Sequence, residues 1–278
     1  MNNLQIFKEN NKDYVIYPKI EFALNKLQME LSVDDHKVFD YVIYFAAKEY
    51  RRLSDTKLLG CNDYVTITIR PGAYFCFRGR IRPSKREYEK FYNCLDHVFS
   101  TSFCWQGISE KRFVCEKINM ISRYRKILDK LGKVVAIELD VNVGVISFCC
   151  WENKNIRQDL RVSESLRRKY SYKLYLILKA SCFEKHTYKE FCIENIKTLL
   201  KANELNKYFR YYVKQSIEEI NEICEVNWSV NFPQGKVKII NEDYVKEKKT
   251  TKIVKSMIPI RRLLENTTNI QDEVDPLH

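Results

Sequence analysis

The sequence predicts an α+β protein built from two units in tandem. The first observation is a run of three helical segments followed by two β-strands in the second half of the chain, over residues 164–240. The second is a similar order of helices and then β-like segments over 32–150, although no repeat is visible at the level of residues. The third is the length of 278 residues, which is enough for two domains of ordinary size.

The first half opens with weakly patterned residues, 1–30, for which we predict a strand or an arm. Ser32 or Asp34 then caps a helix that runs to about Arg52, because apolar residues recur there at helical spacing. The segment YVTITI at 64–69 alternates apolar and polar residues, as a half-buried strand does.

A second helix is predicted from Pro83 to about Phe99. Its apolar face consists of Tyr88, Phe91, Leu95 and Val98. Two β-like segments follow near 113–121 and 133–150, joined by a basic turn at 123–133. Helix, helix and β-hairpin is the order of a winged helix. The apolar character of this region also permits other assignments.

The second half has a sharper pattern. A polar linker, 151–163, leads into a helix over 165–179, and a second helix is predicted at 189–201. A third, long helix spans 206–224, and two strands surround a Pro-Gln-Gly turn within 226–240. We therefore predict a second winged helix.

These elements predict three segments of the chain. Residues 1–150 form an N-terminal winged-helix domain, and residues 151–245 form a C-terminal winged-helix domain. Residues 246–278, basic and then acidic, form a flexible tail.

The composition indicates a polyanionic partner. The net charge is +12 and the sequence pI is about 9.1. No run of eighteen apolar residues exists and the first residues lack the apolar core of a signal peptide, so we expect a cytoplasmic protein and no membrane partner. The ten cysteines match no zinc module or redox pair, and we expect buried, reduced thiols and no cofactor.

The helix 206–224 is the most informative segment for function. Its apolar residues, among them Phe209, Val213 and Ile217, fall within an arc of about 80°. The other side of its first turns carries Lys207, Arg210, Tyr211 and Lys214. A recognition helix presents its N-terminal part to the major groove, where cations meet phosphates and guanine edges. The alternative is an amphipathic helix whose charges only keep it soluble.

Further cations extend this predicted DNA surface. Lys236 and Lys238 lie on the wing that follows the long helix. In the first half the candidates are Arg80, Arg82, Lys85, Arg86, Lys90 and Asn93. Arg167, Arg168 and Lys169 are placed at a helix start, where main-chain N–H groups favour phosphate. For each group the alternative is a solvated basic surface.

Residues 160–240 resemble the C-terminal winged helix of plasmid replication initiators of the iteron-binding Rep type. The resemblance rests on Tyr170, Leu174 and Tyr175 in one helix and on the phrase SIEEIN at 216–221 in the long helix. It implies two winged helices in tandem that bind double-stranded DNA at short direct repeats of an origin. It also implies a homodimer formed through the N-terminal domain for self-repression, and recruitment of the host initiator and the replicative helicase.

An enzyme is not expected, and we predict no catalytic residue and no metal. The sequence has no G-x-x-x-x-G-K-[ST] phosphate loop, and its four histidines are far apart along the chain. Glu138 and Asp140 are the best acidic pair for a metal. Two alternatives stay open: a transcriptional repressor with the same fold, and a divergent DNA-nicking enzyme that uses this pair.

Overall fold

The structure is a computed structural model. It describes residues 15–16, 29–54, 59–60, 62–80, 82–109, 112–147, 158–181 and 186–246, with only the backbone described for 15–16, 103–109 and 112–118. The predicted tail at 246–278 therefore lies almost entirely outside the described residues, as do most of the predicted arm at 1–30 and of the linker at 151–163.

The N-terminal unit is defined by the helices and strands up to residue 147. In chain order they are β1 (Val15–Ile16), α1 (Val33–Ser54), β2 (Tyr64–Ile69), α2 (Pro71–Phe77), α3 (Lys85–Ser100), β3 (Ser102–Ser109), β4 (Arg112–Asn119), β5 (Ile121–Leu128), β6 (Val134–Asn142) and α4 (Val143–Ser147). Ser84 caps α3 through a capping box with Glu87, so polar side chains satisfy N–H groups that the helix itself leaves without partners. Antiparallel pairing gives a sheet in the order β2-β6-β5, and β3 pairs only with β4 among the described strands.

The C-terminal unit is defined by the elements from residue 158 onward. They are β7 (Gln158–Asp159), α5 (Leu160–Ser165), α6 (Ser171–Ala180), β8 (Tyr188–Cys192), α7 (Ile193–Leu200), α8 (Asn206–Cys224), β9 (Trp228–Asn231) and β10 (Lys236–Asn241). Its sheet has the order β8-β10-β9. The side chain of Asn221 bonds both the N–H and the carbonyl of Trp228, at 3.0 and 2.7 Å, and thereby ties the end of α8 to the next strand.

The two units share one topology. Each has a helix, a strand, two helices and two further strands, and in each the last strand pairs with both of the others. The N-terminal unit adds the β3–β4 hairpin between its third helix and its wing, β5–β6. The prediction of an α+β protein with two winged helices in tandem is therefore confirmed.

Each unit has its own apolar core, and the two are joined by the β1–β7 pairing, by Leu160 of α5, which packs in the first core, and by polar contacts. The first core centres on α1, α3 and the β2-β6-β5 sheet, and the second on α6, α7 and α8. Between them, Lys37 Nζ donates to the carbonyls of Glu164 and Leu166, at 3.2 and 2.7 Å. Tyr172 Oη donates to Asp40 Oδ2 at 2.7 Å. The boundaries at 150 and 245 fall at or beside residues that are not described, and they stay predictions.

In the N-terminal half one helix was missed and two predicted elements were wrong. The helix α2 was not predicted, although Pro71 at its first turn is a position that proline favours. The basic segment 123–133 is mostly the strand β5, and the turn is confined to residues 129–133. The β-like segment near 133–150 ends at Asn142 and continues as helix α4. The β3–β4 hairpin was also only partly anticipated, by the segment near 113–121.

In the C-terminal half two boundaries were wrong. The helix predicted from 165 begins at Ser171, because the chain turns extended at Leu166 and separates α5 from α6. Residues 189–192 belong to β8 rather than to the second helix, since they pair with β10. The bounds of the helix 206–224 are confirmed.

Of the four cysteines whose thiols are described, Cys94 is buried but Cys76 and Cys192 are exposed, so the expectation of buried thiols was only partly right. In the described part of the chain no helix is both long enough and apolar enough to cross a bilayer.

Candidate nucleic-acid interface

Helix α8 is anchored through one face. That face is formed by Phe209, Val213, Ser216, Ile217 and Ile220, all of them buried. Phe209 packs beside Tyr170, with 5.9 Å between the ring centroids. Because the buried positions lie within about a third of the helix circumference, the remaining residues of the leading turns face away from the core.

Three of the four predicted recognition residues lie on the outward side of α8. Lys207, Tyr211 and Lys214 are exposed, and neither lysine forms an ion pair with a residue that the structure describes. Tyr211 is 55% exposed, and its hydroxyl accepts a hydrogen bond from Gln215 Nε2 at 2.6 Å. The leading turns therefore present two unpaired ammonium groups around an exposed aromatic ring.

The fourth residue, Arg210, lies toward the wing. Its guanidinium carbon is 5.7 Å from the centroid of the Phe232 ring, which immediately precedes the wing turn. Gly235 in that turn has a φ of +67°, a backbone conformation that glycine tolerates best. Arg210 is exposed as a whole and links α8 to the wing through this contact.

The wing lysines are paired with a strand of their own sheet. Lys236 Nζ and Lys238 Nζ lie 3.1 and 3.4 Å from the two carboxylate oxygens of Glu190, on β8. The hydrogen bond from Lys236 lowers the pKa of Glu190. Lys238 also lies 4.1 Å from the ring centroid of Tyr188. One carboxylate thus offsets part of the charge of both lysines.

The basic triplet before α6 is held by α8. The main-chain N–H groups of Arg167 and Arg168 donate to the Glu219 carboxylate, at 3.0 and 2.9 Å, so these N–H groups are not open to phosphate. Arg168 Nη1 donates to the carbonyl of Gln215 at 2.7 Å, and Lys169 pairs with Glu204. The Arg167 guanidinium is exposed and has no ion pair among the described residues.

The candidates in the N-terminal unit divide into paired and unpaired side chains. Lys90 lies 2.6 Å from Asp34, while Arg80 and Lys85 form longer pairs with Glu87 and Glu89, at 3.6 and 3.8 Å. The exposed side chains without a hydrogen bond or ion pair to any described residue are those of Arg82, Arg86 and Asn93. The outward surface of α3 is thus less basic than that of the leading turns of α8.

Two apolar residues of the α8 surface were not predicted. Tyr208 is 54% exposed, and Leu205, just before the helix, is 74% exposed. The helical wheel places Tyr208 near Tyr211, on the outward side, and this was the signal available in the sequence. Exposed apolar groups beside cations suit contact with thymine methyl groups.

The acidic pair on β6 is neutralised by the neighbouring strand. Glu138 pairs with Arg125, and Asp140 pairs with Arg123 at 2.7 Å. Thr66 Oγ1 also donates to Asp140, at 2.7 Å. These contacts are cross-strand ladder pairs. No group of three metal-ligating side chains occurs among the residues described.

Comparison with solved structures shows which fold this arrangement belongs to. The Pi initiator protein, solved in complex with iteron DNA, is similar with a TM-score of 0.52 and 16% identity, over 82% of this chain and 97% of that one. The two chains therefore share one overall fold. The WH1 domain of the MSBI1.176 replication protein is also similar, with a TM-score of 0.31 and 15% identity, over 47% of this chain and 88% of that one. No known protein family and no curated protein matches the sequence.

Proposed function

We propose that this protein is a replication initiator that binds direct repeats of a plasmid-type origin in duplex DNA. The observation that carries the proposal is the outward surface of α8, where Lys207 and Lys214 are exposed and unpaired among the described residues. This surface lies on the third helix of a winged helix, the element that enters the major groove in helix-turn-helix proteins. The fold that the chain shares with the iteron-bound Pi initiator protein supports it.

Different residues of α8 contact the bases and the phosphates of the DNA. Lys207 and Lys214 have flexible ammonium groups that suit phosphates or guanine edges, and Arg210 has a planar guanidinium that suits a guanine. Glu218 and Glu219 lie further along the helix, where both already contact the loop at 167–168. The distal carboxylates are thereby held away from the polyanion.

The N-terminal unit supplies the second contact. Arg86 and Asn93 are exposed on α3, and an asparagine amide can bond adenine through two hydrogen bonds. Two winged helices joined by buried polar contacts would read the two ends of one repeat. Because Lys90 is paired with Asp34, we assign it to backbone contact rather than to base reading.

Salt dependence tests the α8 surface directly. For wild-type protein on duplex DNA, log Kobs should fall linearly with log salt, by about 0.9 for each phosphate neutralised. The double variant Lys207→Gln, Lys214→Gln should lower the magnitude of that slope by about 1.8. Fluorescence anisotropy at four or five salt concentrations gives both slopes.

A matched control removes two positive charges elsewhere. Arg51 and Arg52 are exposed at the end of α1, and the double variant Arg51→Gln, Arg52→Gln should keep the wild-type slope. An unchanged slope in the α8 variant would mean that this helix is only a solvated amphipathic helix, and the proposal would fail.

A non-enzymatic role is part of the proposal. In this role the protein opens the origin by binding to it and recruits the host initiator and the replicative helicase. When it represses its own gene, it acts as a homodimer. Incubation with supercoiled DNA and Mg²⁺ or Mn²⁺ should leave the DNA intact. Nicking that disappears in a Glu138→Gln or Asp140→Asn variant would establish the enzymatic alternative instead.

A further inference from the structure

A basic cleft lies where the two units meet. It has a volume of about 570 Å³ and is lined from one side by Lys37 and by the turn after α2, and from the other by α5 and residues 166–169. Clefts of roughly 300–1,000 Å³ are the size class that holds small ligands in proteins. The lining includes seven basic side chains and two acidic ones.

Both carboxylates of the cleft are already neutralised by the protein. Glu164 lies 2.8 Å from Arg78 Nε, and burial raises the pKa of Glu164. Asp34 lies 2.6 Å from Lys90 Nζ. The Lys37 ammonium is buried and donates to the carbonyls of Glu164 and Leu166. The cleft therefore keeps a positive potential that its own carboxylates do not cancel.

An exposed arginine lies on each side of the cleft. Arg80 is half exposed, and its pair with Glu87 is long, at 3.6 Å. Across the cleft, Arg167 is exposed and pairs with no described residue, while its main chain is fixed by the Glu219 carboxylate. Two guanidinium groups from different units thus border the same cleft. The main chain of one of them, Arg167, is held in place by its hydrogen bond to Glu219.

The geometry points to a phosphate-binding site in this cleft, formed jointly by the two units. Five of its seven basic residues are arginines, whose planar donors match the oxygens of a phosphate group two at a time. Low-dielectric walls lined by one sign of charge concentrate the field at such a site. A bound phosphate would touch both units and would stabilise their present arrangement.

The phosphate has two sources, the backbone of bound DNA or a free polyphosphate such as a nucleotide. The first source rests on the proposed function and the second does not. In both cases the same arginines bind the same group, so one pair of variants tests the site and a second measurement identifies the source.

The test uses full-length protein and inorganic tripolyphosphate without DNA. Calorimetric titration should show binding by wild-type protein, and the double variant Arg80→Gln, Arg167→Gln should weaken it by roughly tenfold or more, since two charge-assisted contacts are lost. The variant Arg51→Gln, Arg52→Gln should bind as wild type does. If both double variants weaken tripolyphosphate binding equally, the binding is a diffuse attraction to a basic protein and the proposed site is wrong. The proposed site is also wrong if the wild-type protein does not bind tripolyphosphate.

The source is then identified on duplex DNA. If the cleft holds a DNA phosphate, the Arg80→Gln, Arg167→Gln variant lowers the magnitude of the salt slope and tripolyphosphate competes with DNA. If it holds a free polyphosphate, the slope is unchanged and both ligands bind together. Tripolyphosphate binding by a protein that binds no duplex would retain the site and refute the proposed initiator function alone.

Discussion

The hydrogen bond between Tyr172 and Asp40 should contribute measurably to the stability of the whole chain. Tyr172 on α6 and Asp40 on α1 are 1% and 2% exposed, and their oxygens are 2.7 Å apart. Gln158 Nε2 donates to the same Asp40 oxygen, also at 2.7 Å. The substitution Tyr172→Phe removes the hydroxyl and keeps the ring, so it measures the contribution of the buried hydroxyl that donates to Asp40 of the other unit.

The expected loss follows from the burial of both partners. A hydrogen bond to a buried carboxyl group contributes about 2 kcal/mol to the free energy of unfolding. Its removal leaves the buried Asp40 oxygen with one donor fewer, and water cannot replace that donor. For a chain of this size that loss lowers Tm by about 4–8 °C. Burial also raises the pKa of Tyr172 far above its usual range, so the hydroxyl is a donor at every pH at which the fold is studied.

Urea unfolding followed by circular dichroism measures the loss, and Tyr208→Phe is the matched control. Tyr208 is 54% exposed and makes no hydrogen bond with a described residue, so the control should stay within about 0.5 kcal/mol of wild type. A Tyr172→Phe protein as stable as the control would refute the inference that buried polar contacts hold the two units together.

Three further predictions concern the core, the cleft and the recognition helix. Phe209 is fully buried, so Phe209→Ala should lower the free energy of unfolding by about 3–5 kcal/mol, and a loss below 1 kcal/mol in urea titrations would show that α8 is not anchored by this ring. The raised pKa of Glu164 means that the folded state binds its proton more tightly than the unfolded state. The contribution of Glu164 to stability is therefore full below its pKa in the unfolded state and is lost as the pH rises through its pKa in the folded state. When the free energy of unfolding is measured from pH 4 to 8, the Glu164→Gln variant should not show this decrease in stability. Arg210→Ala should weaken binding of repeat DNA by about 1–3 kcal/mol and of random DNA by less, whereas equal weakening would restrict Arg210 to phosphate contact.

The sequence was most informative where a segment was long and its pattern strict. The bounds of α8 follow from apolar spacing over nineteen residues, and the six-residue alternation of β2 is equally clear. Short elements were missed because a run of a few residues is compatible with both the helical and the strand pattern of apolar residues. The segment 188–192 is an example, since pairing with β10, rather than any local pattern, makes it a strand.

The candidate site was predictable as a set of exposed positions but not as a set of contacts. The helical wheel placed Lys207, Tyr211 and Lys214 outward, and they are exposed. The helical wheel could not pair Lys236 and Lys238 with Glu190, because Glu190 is more than forty positions away in sequence and meets them only through the pairing of β8 with β10. The cleft between the units depends in the same way on contacts between distant segments.

The comparison of repeat DNA with shuffled DNA tests the central claim most directly. The non-coding DNA beside the gene is first searched for direct repeats, and the probe is a duplex that carries them. Its competitor has the same composition in shuffled order, and both are measured at one physiological salt concentration. The account predicts that full-length protein binds the repeat about a thousandfold or more tightly than the shuffled duplex. Equal affinity for the two would contradict it, because a merely basic protein would bind both through their phosphates alone.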